Sequence, residues 1–320
     1  MLEQCEYRKI PDADIVEEPL FMLSWGRDES RLRNSLAAVG QTTPLALLPS
    51  DEGPRLVCGV RRRRALRELG VKEFSAVILP SGFGPDQALI LALEENLGLR
   101  DFNDAEKALA VGSLFRYFSL EQIQRTRARG LGIPPRPEHL ERFRKLALLE
   151  PPGLDLLAQG RLDPETGGML MEIAPREREE ILLLLQALAP GRNKTRLLAT
   201  WLLEIAHGDG VSVSEVLAAP EWREILDAPQ LGAPLKEEKF RERLRRLRFP
   251  VLSGLEKRRA ELLNSLNPPA NLRLLLPQSF EGLEFKMEMT FHDLEDFRLG
   301  LREAGRLAGD DGFRDLLELG

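Results

Sequence analysis

The chain has 320 residues, of which 43% are hydrophobic and 30% charged, a composition typical of a folded protein with well-solvated helices. Its net charge of −6 excludes a uniformly basic coat for nucleic acid, although it allows local basic patches. Two cysteines and three histidines argue against a disulfide framework and against a Cys/His zinc site. The first residues lack a secretion-signal pattern and no apolar run could span a bilayer, so we expect a cytoplasmic protein without a membrane partner.

Residues 8–80 alternate short apolar runs with turns, which predicts a small α/β unit. "LRNSLAAVG" is typical of a helix that stops at Gly40, and "VRRRRALRELG" of a helix closed by Gly70. The runs "TPLALLP", "RLVCG" and "FSAVILP" predict three strands. In the second helix, Ala65, Leu66 and Leu69 are expected to face inward. A third helix, "PDQALILALEENLGL", should end at Gly98.

From residue 103 to about 266 the chain is predicted to be nearly all helix. Asn103, with Glu106 three residues later, has the spacing of a capping box. "SLEQIQRTRARGLGI" and "RPEHLERFRKLALL" predict a helix pair joined by a Gly/Pro turn. The Pro/Gly-rich stretch 227–235 is a candidate linker, and a helix over 236–266 should be interrupted near Pro250.

The C-terminal block is predicted as α-β-β-α, with strands "NLRLLL" and "LEFKMEMTF", a turn at 277–282 and a last helix from His292. Alternating apolar residues predict one buried face on the strands, covered either by a second subunit or by the chain's own helices. These residues are Leu272, Leu274, Leu276, Phe285, Met287 and Met289. The expected fold class is α+β, with domains at 1–102, 103–230 and 231–320.

Four consecutive arginines, 61 to 64, directly follow Gly59 at the junction between a predicted strand and a helix. A glycine there lets the backbone approach a ligand, and a helix N-terminus presents free N–H groups. Guanidinium groups in the first turn would add donors suited to phosphate oxygens. The junction is therefore a candidate triphosphate site, although arginine-rich first turns also occur as plain solvated surface.

A carboxylate and an amide, Glu95 and Asn96, lie at the end of the helix that follows the three predicted strands. Such groups beside phosphates are natural ligands of Mg²⁺, which keeps several waters and bridges phosphate oxygens. The arginine junction and this pair, in that order on a small α/β unit, indicate a nucleotide site more strongly than either alone.

Two stretches give the chain a resemblance to the ParB family of chromosome and plasmid partition proteins. "GVRRRRA" at 59–65 is similar to the family's GERRxRA box, and "ENLGLRDFNDAEKA" at 95–108 is similar to its ENxQRxDLNxxEEA box. The resemblance implies an N-terminal domain that binds CTP with Mg²⁺, a central helix-turn-helix that binds DNA, and a C-terminal domain that forms a homodimer. It also implies that the protein is nucleoid-associated, that it closes as a clamp around DNA, and that it acts with a partner ATPase of the partition system.

The resemblance assigns roles by position. It places Gly59, Arg61, Arg62 and Asn96 at the nucleotide and Glu95 at the metal. In the helix "RPEHLERFRKL", five residues are candidates for DNA contact, although interspersed Glu138 and Glu141 also suit a bundle surface. The five candidates are Arg136, His139, Arg142, Arg144 and Lys145.

The chain departs from the family's pattern at positions that bear on chemistry. The family's Glu in the first box, linked to hydrolysis, is Val60 here, and the Gln-Arg of the second box is replaced by Gly98 and Leu99. We therefore expect nucleotide binding rather than brisk CTP hydrolysis, and assign no catalytic residue. A sulfiredoxin-type enzyme would need a cysteine in the place of Val60. A nucleotide-responsive dimeric adaptor that binds a protein instead of DNA stays an open alternative.

Overall fold

The computed structural model describes residues 5–275 and 285–319, and the chain forms two compact units, Met1–Phe240 and Arg241–Gly320. A five-stranded sheet, a two-stranded sheet and many helices make it a mixed α+β protein, as predicted. The boundary between the units lies ten residues beyond the one expected at 230. The expected boundary at 102 coincides with a helix–helix junction inside the first unit.

The sheet has the strand order β1-β5-β3-β4-β2. Its central strand β3 is parallel to β5 and antiparallel to β4. The two edge strands were not predicted, because one has a mostly exposed run without alternation and the other is only two residues long. The strands are β1 (Glu6–Pro11), β2 (Val16–Glu17), β3 (Leu45–Leu48), β4 (Arg55–Cys58) and β5 (Glu73–Ile78).

Three helices accompany the sheet: α1 (Ser30–Val39), α2 (Val60–Glu68) and α3 (Pro85–Leu97). Ala65 and Leu66 of α2 pack on the buried face of the strands, as predicted. Leu69 does not: it is 38% exposed, because the helix ends at Glu68 and Leu69 lies beyond its last turn.

The rest of the first unit is helical, and α4 packs against α6 and α7. The predicted capping box at its start is confirmed: Asn103 Oδ1 accepts from the Glu106 N–H at 2.9 Å, and Glu106 Oε2 accepts from the Asn103 N–H at 3.0 Å. The helices are α4 (Asp104–Leu114), α5 (Leu120–Thr126), α6 (Pro137–Leu146), α7 (Pro151–Ala158), α8 (Pro164–Leu170), α9 (Pro175–Leu188), α10 (Arg192–Asp209), α11 (Val213–Leu217) and α12 (Pro220–Leu226). The next helix, α13 (Ala233–Arg248), includes the boundary at residue 240.

The second unit has the predicted element types, with the last helix divided in two. The interruption at Pro250 is confirmed, since α13 ends at Arg248 and the next helix begins at Pro250. The remaining elements are α14 (Pro250–Leu266), β6 (Leu272–Leu275), β7 (Lys286–Met289), α15 (Leu294–Ala308) and α16 (Asp311–Glu318).

The antiparallel pair β6–β7 places Leu272 opposite Met289 and Leu274 opposite Met287. The chain's own helices cover part of this face: Leu272 is buried, and Leu274 and Met289 are half-buried against the same core. Met287 is 40% exposed in the single chain, so the chain's own helices do not bury it and its burial against a second subunit stays a prediction. The predicted turn at 277–282 and Leu276 lie outside the described residues.

Candidate functional site

The junction between β4 and α2 is a turn that requires glycine. Gly59 has a φ of +96°, in the left-handed region that side chains disfavour. A Cβ at this position would lie 2.6 Å from Leu45 Cδ2 and 3.0 Å from Arg62 Nη2. The absent side chain therefore leaves room for the Arg62 guanidinium directly beside the turn.

Arg61 and Arg62 bring buried donors to this turn. Arg61 Nη2 donates to the Asp28 carbonyl at 2.9 Å, and Arg62 Nη2 donates to the Pro44 carbonyl at 3.1 Å and to Glu95 Oε1 at 3.3 Å. The Nε atoms of both arginines are buried and have no hydrogen-bond partner in the described structure. Arg61 Nε lies 3.7 Å from Glu29 Oε1, which is an ion-pair distance but too long for a hydrogen bond. Leaving a buried donor without a hydrogen bond costs about 1–3 kcal/mol, so an added acceptor would stabilise this site.

The other two arginines of the run, Arg63 and Arg64, do not line the cavity described below. Arg63 is buried and donates to Asp12 Oδ1 at 2.6 Å and to Glu17 Oε1 at 3.2 Å, which ties α2 to the start of the chain. Arg64 is exposed. Of the four arginines at 61–64, Arg63 is structural, Arg64 is at the surface, and the other two line a cavity.

That cavity has a volume of about 430 Å³. Hydroxyl groups of Ser24, Ser35, Thr42 and Thr43 line it together with apolar side chains, and Glu95 is the one carboxylate on its wall among the described residues. All five residues predicted for nucleotide and metal binding line this one cavity: Gly59, Arg61, Arg62, Glu95 and Asn96.

A third arginine of the cavity wall, Arg100, holds the end of α3. Asn96 Nδ2 donates to the Ala92 carbonyl at 2.8 Å, and Asn96 Oδ1 accepts from Arg100 Nη2 at 3.1 Å. Arg100 Nη1 in turn donates to Glu106 Oε2 at 2.6 Å. The side chain of Asn96 is therefore oriented by Arg100 and by its own helix.

Glu106 is a fully buried carboxylate that connects the cavity wall to α4. It accepts hydrogen bonds from Arg27 and Arg100, each at 2.6 Å, as well as from the Asn103 N–H. Burial acts to raise its pKa, but these hydrogen bonds outweigh burial and lower the pKa below its ordinary value of 4.5.

The sequence analysis identified Glu106 only as a capping residue and missed the roles of Arg27 and Arg100 in this site. Arg27 lies 79 residues from Glu106 along the chain, and no local pattern indicates such a pair. Asn103 also contacts this segment, since its Nδ2 donates to the Trp25 carbonyl at 2.9 Å. The capping-box spacing of Asn103 and Glu106 was the only feature of the sequence that pointed to this network.

The residues around Cys58 do not support thiol chemistry. Burial, followed by the neighbouring Glu95 carboxylate, raises the pKa of the Cys58 thiol far above its ordinary value. The position after Gly59 holds the buried Val60. The junction therefore lacks the cysteine after the glycine that a sulfiredoxin-type site would need.

The five candidates for DNA contact on and beside α6 do not share one surface. Arg136 is exposed at the start of the helix. Arg144 Nε pairs with Glu141 at 2.7 Å, and Lys145 Nζ pairs with Glu172 at 2.6 Å. The remaining two, His139 and Arg142, are half-buried and line a separate groove beside α10.

Neither a clustered metal centre nor a membrane segment is found in the part of the chain that the structure describes. Over residues 5–275 and 285–319, no three side chains of His, Cys, Asp or Glu come together as a set of metal ligands. None of the helices in these ranges is both long and apolar enough to cross a bilayer.

Three curated partition proteins are similar to this chain in sequence. The probable chromosome-partitioning protein ParB of Coxiella burnetii is 28% identical over 175 residues, covering 54% of this chain and 58% of the relative. ParB of Myxococcus xanthus is 31% identical over 36% of this chain and 41% of its own length. Spo0J of Thermus thermophilus is 30% identical over 46% and 52%, respectively. The chain thus spans about half the length of the curated relatives it matches.

Solved structures show a weaker likeness. The C-terminally truncated ParB of Caulobacter crescentus complexed with CTP-gamma-S is 22% identical, with a TM-score of 0.27 over 55% of this chain and 98% of that one. The same protein complexed to the centromeric parS site is 19% identical, with a TM-score of 0.30 over 60% and 98%. TM-scores of this size do not establish a shared arrangement of the whole chain.

No model of a known protein family matches the chain. The sequence relatives nevertheless agree with one another, since all three are chromosome-partitioning proteins. They also agree with the two motifs at 59–65 and 95–108 that frame the cavity. This chain is therefore related to the ParB family of partition proteins, with similarity over about half of its length.

Proposed function

We propose that this protein is a CTP-binding, DNA-binding partition protein of the ParB type that acts as a homodimer. One observation carries the nucleotide part of the proposal. The five residues assigned to the nucleotide and its metal line a single cavity, and the buried Nε atoms of Arg61 and Arg62 at that cavity have no hydrogen-bond partner in the described structure, although Arg61 Nε lies 3.7 Å from a Glu29 carboxylate oxygen.

A triphosphate supplies the acceptors that this site lacks. Its oxygens would accept from the Nε atoms of Arg61 and Arg62, which donate no hydrogen bond in the described structure, and from the free N–H groups of the first turn of α2. Gly59 allows the phosphate chain to approach the backbone without a Cβ in the way. Because Arg62 now contacts only one carboxylate oxygen and one carbonyl, it can turn to a ligand without breaking a larger network.

The residues present fit a magnesium ion that is held mainly by the nucleotide. Glu95 offers one carboxylate at the cavity, and its side chain is 30% exposed. Mg²⁺ commonly binds one or two carboxylates and takes its other ligands from phosphates and water. Asn96 would serve less well as a ligand, since its oxygen already accepts from Arg100.

Hydrolysis is expected to be slow or absent. Val60, in the place of the family's carboxylate, is buried and apolar, so it cannot orient a water molecule. Glu95 is the remaining carboxylate on the cavity wall within the described residues, and it is paired with Arg62. The site is therefore better suited to holding a nucleotide than to cleaving it.

The test is calorimetric titration of CTP, ATP, GTP and UTP into the protein with Mg²⁺, repeated for Arg62→Ala and Arg64→Ala. We expect preferential CTP binding, lost in Arg62→Ala and retained in Arg64→Ala. The second variant is a matched control because Arg64 lies two residues further along the same helix but is exposed and outside the cavity. Equal affinity for the four nucleotides, or unchanged binding by Arg62→Ala, would contradict the proposal.

The second unit carries an apolar face that fits a second copy of this chain. Four side chains of β7, the following loop and α15 are exposed although they are apolar: Met287 at 40%, Phe291 at 52%, Leu294 at 62% and Leu301 at 51%. Exposed apolar side chains grouped in this way are typical of an interaction surface. The core of this unit is formed by its own helices and strands, and these four side chains lie outside it.

Dimerisation is tested in the full chain with Leu294→Glu/Leu301→Glu. Buried charges would oppose association, so we expect light scattering to report a monomer for this variant and a dimer for the wild type. Leu148→Glu is the control, since Leu148 is 74% exposed in the first unit. A monomeric wild type, or a double variant that stays dimeric, would contradict this assignment.

A second candidate is the adaptor that binds a protein in place of DNA. It is favoured by the ion pairs of Arg144 and Lys145, which engage two of the five candidate DNA contacts within the protein itself. The two candidates differ in one measurement. DNA binding predicts an affinity for random duplex that weakens with salt, whereas the adaptor predicts no such affinity.

A further inference from the structure

The side-chain amide of Asn96, on the cavity wall, has only one possible orientation. Its Nδ2 lies 2.8 Å from the Ala92 carbonyl oxygen, which can only accept a hydrogen bond, and its Oδ1 lies 3.1 Å from Arg100 Nη2, which can only donate one. The reversed amide would set donor against donor at Arg100 and acceptor against acceptor at Ala92. These two neighbours therefore fix which atom of the amide is the donor.

This orientation determines what Asn96 can offer to a bound nucleotide. Nδ2 carries two hydrogens, and in the described structure the Ala92 carbonyl is its only acceptor, so one N–H is available to a ligand. Oδ1, in contrast, lies beside the positive charge of Arg100. That charge repels a Mg²⁺ ion on Oδ1, whereas it attracts a phosphate oxygen at the neighbouring N–H.

Arg100 is itself held on its other side. Its Nη1 donates to Oε2 of the fully buried Glu106 at 2.6 Å, and Glu106 also accepts from Arg27 at 2.6 Å and from the Asn103 N–H at 3.0 Å. The Arg100 guanidinium lies 5.0 Å from the centroid of the buried Phe102 ring. Only 16% of the Arg100 side chain is exposed. The position of this cation is therefore set before any ligand binds.

Arg62 is held more loosely than Arg100. Its Nη2 donates to the Pro44 carbonyl at 3.1 Å and to Glu95 Oε1 at 3.3 Å, and its buried Nε forms no hydrogen bond in the described structure. Arg62 can therefore turn to a nucleotide and gain a hydrogen bond. Arg100 could do so only by leaving the buried Glu106 with one partner fewer, so its contacts favour a supporting role.

We propose that Arg100 is a positioning residue of the nucleotide site, which fixes the Asn96 amide so that it donates a hydrogen bond to a phosphate and leaves the metal to Glu95. This inference rests on the proposed function and assigns separate roles within the Glu95–Asn96 pair. It concerns a residue outside the family's pattern, because the second box places its arginine at the position of Leu99 and leaves position 100 unspecified.

The test is a double-mutant cycle on nucleotide affinity. CTP with Mg²⁺ is titrated by calorimetry into the full chain as wild type, Arg100→Ala, Asn96→Ala and the double variant. Arg127→Ala is the charge-matched control, because Arg127 pairs with Glu94 near the same end of α3 but lies outside the cavity. Urea denaturation of each variant shows whether it is folded under the conditions of the titration.

We expect Asn96→Ala to weaken CTP binding about 10- to 100-fold, since it removes a hydrogen bond to a charged group. Arg100→Ala should weaken binding by no more than this factor, and the double variant should bind no more weakly than Asn96→Ala. Arg127→Ala should bind as the wild type does. A double variant whose loss is the product of the two single losses would overturn the proposal, because Arg100 would then act independently of Asn96. Unchanged binding by either single variant would overturn it as well.

Asn96→Asp tests the assignment without changing Arg100. An aspartate still accepts from Arg100 and is a good ligand for Mg²⁺, but its side chain has no N–H and its charge repels phosphate. We expect this variant to weaken CTP binding at least as strongly as Asn96→Ala. Retained or tighter binding would show that residue 96 serves the metal, and would overturn the proposal even where Arg100→Ala loses stability.

The two possible failures are distinguishable. A wild-type protein that binds CTP, together with multiplied losses in the cycle or retained binding by Asn96→Asp, overturns the role of Arg100 and leaves the proposed function in place. A wild-type protein that binds no nucleotide overturns both.

Discussion

Two arginine-rich helices of the same unit use their charges in opposite ways. On α2, Arg61 and Arg62 line a cavity and their buried Nε atoms form no hydrogen bond in the described structure, and Arg63 is buried in ion pairs. On α6, Arg144 and Lys145 lie half in solvent and pair with surface carboxylates. The difference shows that a high local density of arginine does not define a site; the burial and the unpaired donors do.

Exposed and buried ion pairs also differ in how much they contribute to the stability of the fold. An exposed ion pair contributes about 0–1 kcal/mol to stability, because water screens it and ordering the side chains costs entropy. Removing one partner of a buried pair costs about 3–5 kcal/mol, because the other charge stays buried without compensation. Substitutions near the cavity and on α6 should therefore differ severalfold in their effect on unfolding.

The largest effect is expected for Glu106→Gln. This change leaves Arg27 and Arg100 without their shared carboxylate next to the cavity. We expect the free energy of unfolding, measured by urea denaturation, to fall by about 3 kcal/mol. A loss below about 1 kcal/mol would show that the buried network is no stronger than the ion pairs of α6.

Gly59→Ala should have the next largest effect, compared with Gly70→Ala as its control. Both glycines have a positive φ, of +96° and +77°, so both substitutions carry backbone strain of about 1–3 kcal/mol. Only at Gly59 would the added Cβ collide, with Leu45 Cδ2 at 2.6 Å, whereas nothing lies within 4 Å at Gly70. We expect Gly59→Ala to lower the unfolding free energy further and also to abolish nucleotide binding. Equal losses for both variants would contradict the close packing at the junction.

Acid titration should separate the buried network from the surface pairs. The pKa of Glu106 is lowered in the folded state, so its contribution to stability is present above the ordinary value of 4.5 and is lost as pH falls through the folded pKa. The stability difference between wild type and Glu106→Gln should therefore be constant near pH 7 and shrink below about pH 4.5. A difference that is independent of pH down to pH 3 would contradict the role of the carboxylate charge.

The smallest effect is expected for Arg144→Ala. Its ion pair with Glu141 spans one helical turn, and its guanidinium also lies 5.2 Å from the Phe115 ring centroid. Both contacts are at the surface, so the unfolding free energy should change by less than about 1 kcal/mol. A larger loss in urea denaturation would mean that α6 is held by its surface charges, as α2 is by its buried ones.

Local chemistry determined much of this protein from the sequence alone. A glycine between a strand and an arginine-rich helix predicted the turn at Gly59, and Asn103 with Glu106 predicted a cap, because both depend on residues a few positions apart. The interruption at Pro250 follows from proline geometry in the same way. The edge strands β1 and β2 were missed, since they lack an apolar pattern and exist only through pairing with their neighbours.

Tertiary structure alone decided how each cation is used. Arg63 became a buried structural residue because Asp12 lies against α2, and Arg27 reached Glu106 from 79 residues away. His139 and Arg142 line a groove together with residues of α10, because both helices pack against α8, whereas Arg144 and Lys145 stayed at the surface. Such pairings depend on which elements become neighbours in space, and the spacing of residues within one helix carries no information about them.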